Sequence, residues 1–193
     1  MPRRPPRTAP VLVLPGMTGP RPDAWYSLIA DELRESGRDV RIPVLPNSDE
    51  PVLADWLAAL DTALAGLPDV GFDVVAHSTG ALLWLHHTGR SIALPRPERV
   101  ALVAPASGGQ IGPPTFRDVP LDTDAVRRAA DGTVLVGGDD DPFCPEGAAR
   151  TYGTPLKMAT TVIAGGGHLN PESGYGPWPA MLDWLRRDNL AFF

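Results

Sequence analysis

Three short segments hold residues that could act together on a carbonyl group: Ala76-His77-Ser78-Thr79-Gly80, Asp139-Asp140-Asp141-Pro142 and Gly165-Gly166-Gly167-His168. A serine hydroxyl is a weak nucleophile until a histidine takes its proton and a carboxylate orients that histidine. Ser78 stands at the centre of a small-x-Ser-x-Gly string, with an apolar run before it and a helical pattern behind it. That is the arrangement of a nucleophile elbow, where a sharp strand-to-helix turn strains the serine backbone and lifts its hydroxyl to the carboxyl end of a sheet. Ala76 replaces the usual first glycine, a methyl the turn can accommodate. The competing role for Ser78 is a helix N-cap, common for serine. On the pentapeptide alone the two readings are evenly matched, and the flanking strand and helix favour the nucleophile.

The partners follow in the order Ser, Asp, His. The aspartates come after a fifth apolar run and His168 after a sixth, so both loops emerge at the edge that carries Ser78. Asp139 and Asp140 read equally well as solvated turn carboxylates. Asp141 lies deepest in its loop, and Pro142 fixes the chain beside it, so Asp141 is the favoured acid. His168, on a glycine-rich loop, has the access a general base needs. His77 adjoins Ser78 and should turn away into packing; His86 and His87 lie two turns down the helix, ~12 Å from the elbow. The Thr79 N–H at the helix start and the Met17 N–H in the loop after the first strand are the expected oxyanion donors. Met17, Thr18, Phe143, Tyr175 and Trp178 are the expected substrate-binding walls, although Trp178 reads better as core.

To bring these loops together the chain must alternate strands and helices. Val/Ile/Leu-rich runs without polar alternation predict strands at Pro10–Leu14, Asp39–Ile42, Asp73–Ala76, Arg99–Ala104, Thr133–Val136 and Thr160–Ala164. Helices are predicted at Asp23–Ser36, Pro51–Ala65, Thr79–Thr88, Asp122–Ala130, Glu146–Tyr152 and Trp178–Asn189. In the second, Leu53, Trp56, Leu57, Leu60 and Leu64 form one apolar stripe. The alternation predicts repeated βαβ units around a parallel sheet, as one domain from residue 10 to 193 behind a flexible tail of residues 1–9. The Ser107–Pro120 connection is long enough to be functional or mobile. No insertion is long enough for a separate cap.

Composition narrows the functions. Of 193 residues, 43% are hydrophobic and 21% charged, an ordinary globular balance. A net charge of −6 argues against nucleic-acid binding, which needs a basic face. There is no apolar run of the ~18 residues a membrane span requires, nor the h-region of a secretory signal; a cytoplasmic enzyme is the expectation. Cys144 is the only cysteine, so intrachain disulfides are excluded, and it reads as a small buried apolar residue. No HExxH, Walker or GxGxxG motif occurs, so no metal, nucleotide or other cofactor is expected.

Taken together, LPGMTG, AHSTG, DDDPFCP and GGGHLNPESGYGPWP resemble the small serine hydrolases related to retinoblastoma-binding protein 9. The likeness runs from about Pro10 to the C-terminus, and GHxNxxSGxGxWP is its most specific part. The resemblance implies a compact, capless α/β-hydrolase with a six-stranded parallel sheet of order 2-1-3-4-5-6 and helices on both faces. It also implies Ser78, Asp141 and His168 as nucleophile, acid and base, with the acid directly before the proline of DPxxP. The family often has a His-Trp pair where this chain has Ala24-Trp25. The expected reaction is hydrolysis of a small-molecule acyl substrate, a carboxylic ester first. A thioesterase, an aminopeptidase or amidase with the same triad, and a non-catalytic interaction protein are the alternatives.

Overall fold

A computed structural model describes residues 7–69, 71–90, 95–107 and 112–187. The strands are β1 (Val11–Leu14), β2 (Val40–Arg41), β3 (Asp73–His77), β4 (Arg99–Val103), β5 (Gly132–Gly138) and β6 (Ala159–Ile163). The helices are α1 (Trp25–Glu35), α2 (Leu53–Ala65), α3 (Thr79–Thr88), α4 (Thr123–Ala129), α5 (Thr154–Leu156) and α6 (Pro179–Arg186). All strand pairs are parallel, in the order β2-β1-β3-β4-β5-β6. The architecture is that of an α/β-hydrolase, as the resemblance implied.

Side chains of successive strand residues point to opposite faces, and the two faces feed two cores. Leu12, Leu14, Val74, Ala76, Val100, Leu102 and Leu135 join Trp56, Leu60 and Leu64 of α2, Ala81 to Leu85 of α3, and Val126 of α4. Val11, Val13, Val75, Ala101, Val103, Val134 and Val136 join Trp25, Ile29 and Leu33 of α1 and Met181 and Leu185 of α6. Burial on both faces is why these strands read as unbroken apolar runs. Each fully buried leucine along them stabilises the fold by roughly 2 kcal/mol. The α2 stripe holds as expected, with Trp56, Leu60 and Leu64 fully buried and Leu53 and Leu57 packed at its margin.

The helix expected at Glu146–Tyr152 is displaced. A widened π-turn covers Ala149–Gly153 and runs directly into α5. From Asp141 to Gly147 the chain is spent in turns, with Cys144 N–H bonded to Asp141 O and Gly147 N–H to Cys144 O. Pro155 then lacks the N–H an α-helix would use four residues back. The last expected helix starts one residue later than predicted, at Pro179, and ends at Arg186, where Arg187 is already extended; Asp188 and Asn189 lie outside the described residues. So do residues 108–111 of the long connection.

Of the expected tail, residues 1–6 lie outside the described residues, but residue 7 is docked. The Arg7 guanidinium reaches Asp73 (3.0 Å) and Glu98 (2.7 Å) at the amino end of the sheet. Asp73 is fully buried and also accepts from Arg38 (2.7 Å) and Arg99 (2.7 Å). This ion cluster ties the segment before β1 to β3, β4 and α6, since Arg38 and Arg99 also donate to the Leu185 and Trp184 carbonyls. Among the described residues no helix is long and apolar enough to cross a membrane.

Candidate active site

Ser78 follows β3 directly and occupies the N-cap position of α3, at φ 55° and ψ −122°. That left-handed geometry is costly for a non-glycine residue and persists only where its surroundings fix it. Ser78 N–H bonds to Val103 O (2.9 Å), and Ser78 O accepts from Ala81 N–H (3.0 Å). Gly80 makes the turn possible, because a Cβ there would run into the Leu14 and Pro15 carbonyl oxygens. The Ser78 side chain makes no capping bond. Its hydroxyl instead lies 2.8 Å from His168 Nε2.

His168 Nδ1 faces both oxygens of Asp141, at 2.9 and 2.8 Å. An ionised carboxylate can only accept, so Nδ1 carries the proton and Nε2 is left to accept from the Ser78 hydroxyl. Asp141 is 2% exposed and His168 6%, so the pair is shielded from water. Asp141 Oδ1 also accepts from Phe143 N–H (2.8 Å). The neighbouring aspartates do other work: Asp139 accepts from Gly165 N–H (2.8 Å) and Asp140 from Gly167 N–H (2.6 Å). Each of the two braces the loop that carries His168.

Further bonds hold that loop. Ser173 Oγ accepts from His168 N–H (3.1 Å) and donates to Asn170 Oδ1 (2.8 Å). His77 Nε2 lies 3.0 Å from the His168 carbonyl, and Trp25 Nε1 donates to the Leu169 carbonyl (2.9 Å). Burial, helped by the neighbouring His168, pushes His77 down to about 3. It is therefore neutral near pH 7, and because a carbonyl only accepts, its proton sits on Nε2. The expectation that His77 turns into packing holds, but its link to His168 and the contacts of Trp25, Asn170 and Ser173 were not anticipated. Asn170 and Ser173 were visible only as letters of the GHxNxxSG motif.

Beside Ser78 lies a cleft of about 390 Å³ whose lining includes Met17, Thr18, Thr79, Phe143 and His168. Phe143 is 44% exposed and its ring lies 4.5 Å from that of His168. Thr79 heads α3, so its N–H has no intrahelical partner; the Met17 N–H has no backbone partner among the described residues. Arg21, Tyr26, Asn170 and Pro113 also line the cleft and were not expected there.

Tyr175, expected as a cleft wall, does not line it, and Trp178 takes the core position that was its better reading. Trp178 is buried edge-on against Trp25 (5.1 Å), and Tyr175 packs edge-on against Trp178 (5.2 Å). The left-handed turn at Gly174 (φ 84°) carries the chain from the cleft towards α1. His86 bonds to the Phe116 carbonyl (3.1 Å), away from the site. His87 is packed against Trp84, and burial pushes it down to about 4. Cys144 is buried, and burial raises its thiol away from the thiolate form.

The geometry can deprotonate a serine against an orienting carboxylate and offers unpaired N–H groups to an oxyanion. Residues 11–187 match the model of a family described as serine hydrolase. No match to a functionally curated protein was found. Among solved structures, the chain is similar to the ydeN gene product of B. subtilis, with 20% identity and a TM-score of 0.79 over 92% of this chain and 97% of that one. It is similar to a YdeN-like hydrolase of Pectobacterium atrosepticum, with 19% identity and a TM-score of 0.67 over 92% and 89%. It also resembles a structure from a study of the carboxylesterases of Nitrososphaera gargenis, with 13% identity and a TM-score of 0.68 over 93% and 89%. At these identities the likenesses establish the fold.

Proposed function

The chain belongs to the serine hydrolase family, and from that premise we propose that it cleaves small carboxylic esters through an acyl-enzyme on Ser78. His168 Nε2 takes the hydroxyl proton as Ser78 Oγ attacks the ester carbonyl. Asp141 keeps the other His168 proton on Nδ1 and stabilises the imidazolium that forms. The Thr79 and Met17 N–H groups receive the oxyanion. His168 then protonates the departing alcohol, a water takes the alcohol's place, and His168 activates it to release the acid.

The observation that carries this reading is the unbroken line of hydrogen bonds from Ser78 Oγ through His168 to Asp141, with Ser78 in the strained elbow conformation. The carboxylesterase study behind one similar structure supports the choice of an ester. A matched set of small esters, thioesters and aminoacyl amides, assayed for kcat/KM, tests it. Esters should be the best substrates, with turnover lost in Ser78→Ala. Faster cleavage of the thioesters or amides would replace the ester reading with one of those activities.

A further inference from the structure

The cleft has two unlike walls. The loops after β4 and β5 present Ala106, Pro113 and Phe143, and are joined by the Ser107 N–H bond to Phe143 O (2.7 Å). The loops after β1 and β6 present Thr18, Arg21 and Asn170, and are joined by the Arg21–Glu172 ion pair. Among the described residues, the first wall offers only apolar side chains, and the second is rich in hydrogen-bond donors.

The Asn170 amide has a fixed orientation. One end meets the Ser173 N–H (3.0 Å), which requires an oxygen, so that end is Oδ1 and the other is Nδ2. Among the described residues neither Asn170 Nδ2 nor Thr18 Oγ1 has a protein partner. Thr18 is held at φ 68°, a strained conformation for a β-branched residue, while its N–H bonds to Ser48 O (2.9 Å). Arg21 is engaged by Asp23 and Glu172, whose two charges outweigh its own. Asp139 and Asp140 lie exposed on the adjoining loops. An anionic group would therefore meet no surplus positive charge. A neutral oxygen would meet N–H and O–H groups that the protein leaves unpaired.

We propose that Thr18, Arg21 and Asn170 form a subsite for a neutral oxygen acceptor of the substrate: an ether, a hydroxyl or a second carbonyl. This rests on the ester reading and deepens it. The ester is oxygenated where it meets this wall and apolar where it meets Phe143. A substrate lacking the oxygen displaces water from the Thr18 hydroxyl and the Asn170 amide and offers nothing in its place, which is how polar sites discriminate between near-isosteres.

Three esters that differ only by CH₂→O test the proposal: butyl pentanoate, 2-methoxyethyl pentanoate and butyl 3-methoxypropanoate, each assayed for kcat/KM by acid release. One oxygenated ester should exceed butyl pentanoate by about fivefold or more. Whichever it is shows whether the wall receives the alcohol or the acyl portion. That ratio should fall towards one in Asn170→Asp, which keeps Oδ1 for Ser173 but replaces the donor with an acceptor. It should fall likewise in Thr18→Val. Equal kcat/KM for all three esters, or a ratio unchanged in both variants, overturns the subsite. Turnover of butyl pentanoate reports the ester reading separately, and failure to cleave any of the three overturns both.

Discussion

Asp139, Asp140 and Asp141 are chemically identical and adjacent, and what separates them is the donor each one meets. Asp139 and Asp140 accept backbone N–H groups from the glycine loop, whereas Asp141 accepts from the imidazole. An asparagine can still accept at the first two positions. At position 141 it lacks the charge that fixes the tautomer and stabilises the imidazolium. Asp141→Asn should therefore lower kcat by about 10³–10⁴-fold, against less than about tenfold for Asp139→Asn or Asp140→Asn. Steady-state kinetics on the three variants decides it, and comparable losses would remove the assignment. Pro142 and loop depth are what pointed to Asp141 in the sequence. Tyr175 misled because nearness to His168 along the chain says nothing about the reversal at Gly174, whereas Trp178 lies in the core against Trp25, as its better reading had it.

The central strands were readable as elements because two covered faces leave no polar alternation, and the elbow because β3, Ser78 and α3 are contiguous. The stretch after β5 was harder. Its Pro and Gly residues belong to turns bonded back to Asp141, and Pro155 widens the helix that follows, so a simple helical pattern fell a few residues early. The elbow depends on the approach of α3 to the end of β1, which Gly80 permits. Gly80→Ala should force backbone away from backbone and cost about 1–3 kcal/mol in denaturant unfolding. Activity should fall with it, since Leu14 and Pro15 lead directly into the loop that bears Met17. A Gly80→Ala protein with unchanged stability and kcat would mean that the approach is looser than described.

At the scale of the whole molecule, opposite ends of the sheet have different tasks. The amino end is closed by the arginines around Asp73, and the carboxyl end is where the loops meet. Residue type alone did not reveal that cluster, because a buried Asp with three arginine partners is assembled from distant segments. Two histidines couple the fold to pH. His77 beside His168, and His87 near the Arg90–Asp61 pair, are lowered to about 3 and about 4, mainly by burial. Below pH 6.5 the unfolded chain binds protons at these positions while the folded chain does not, so stability falls as pH drops towards 4. Each histidine contributes a slope of up to about 1.4 kcal/mol per pH unit. Urea unfolding between pH 7 and 4.5 should show that decline, and His77→Gln should flatten it; a wild-type profile without slope would contradict the burial of these rings.

The central proposal, Ser78 as a nucleophile at the carboxyl edge of the sheet, can be tested directly. A fluorophosphonate probe followed by intact-mass analysis should place a single adduct on folded wild-type protein, on the Ser78 peptide, and none on Ser78→Ala. Folded wild-type protein that stays unlabelled, or Ser78→Ala that labels as well as wild type, would contradict the account.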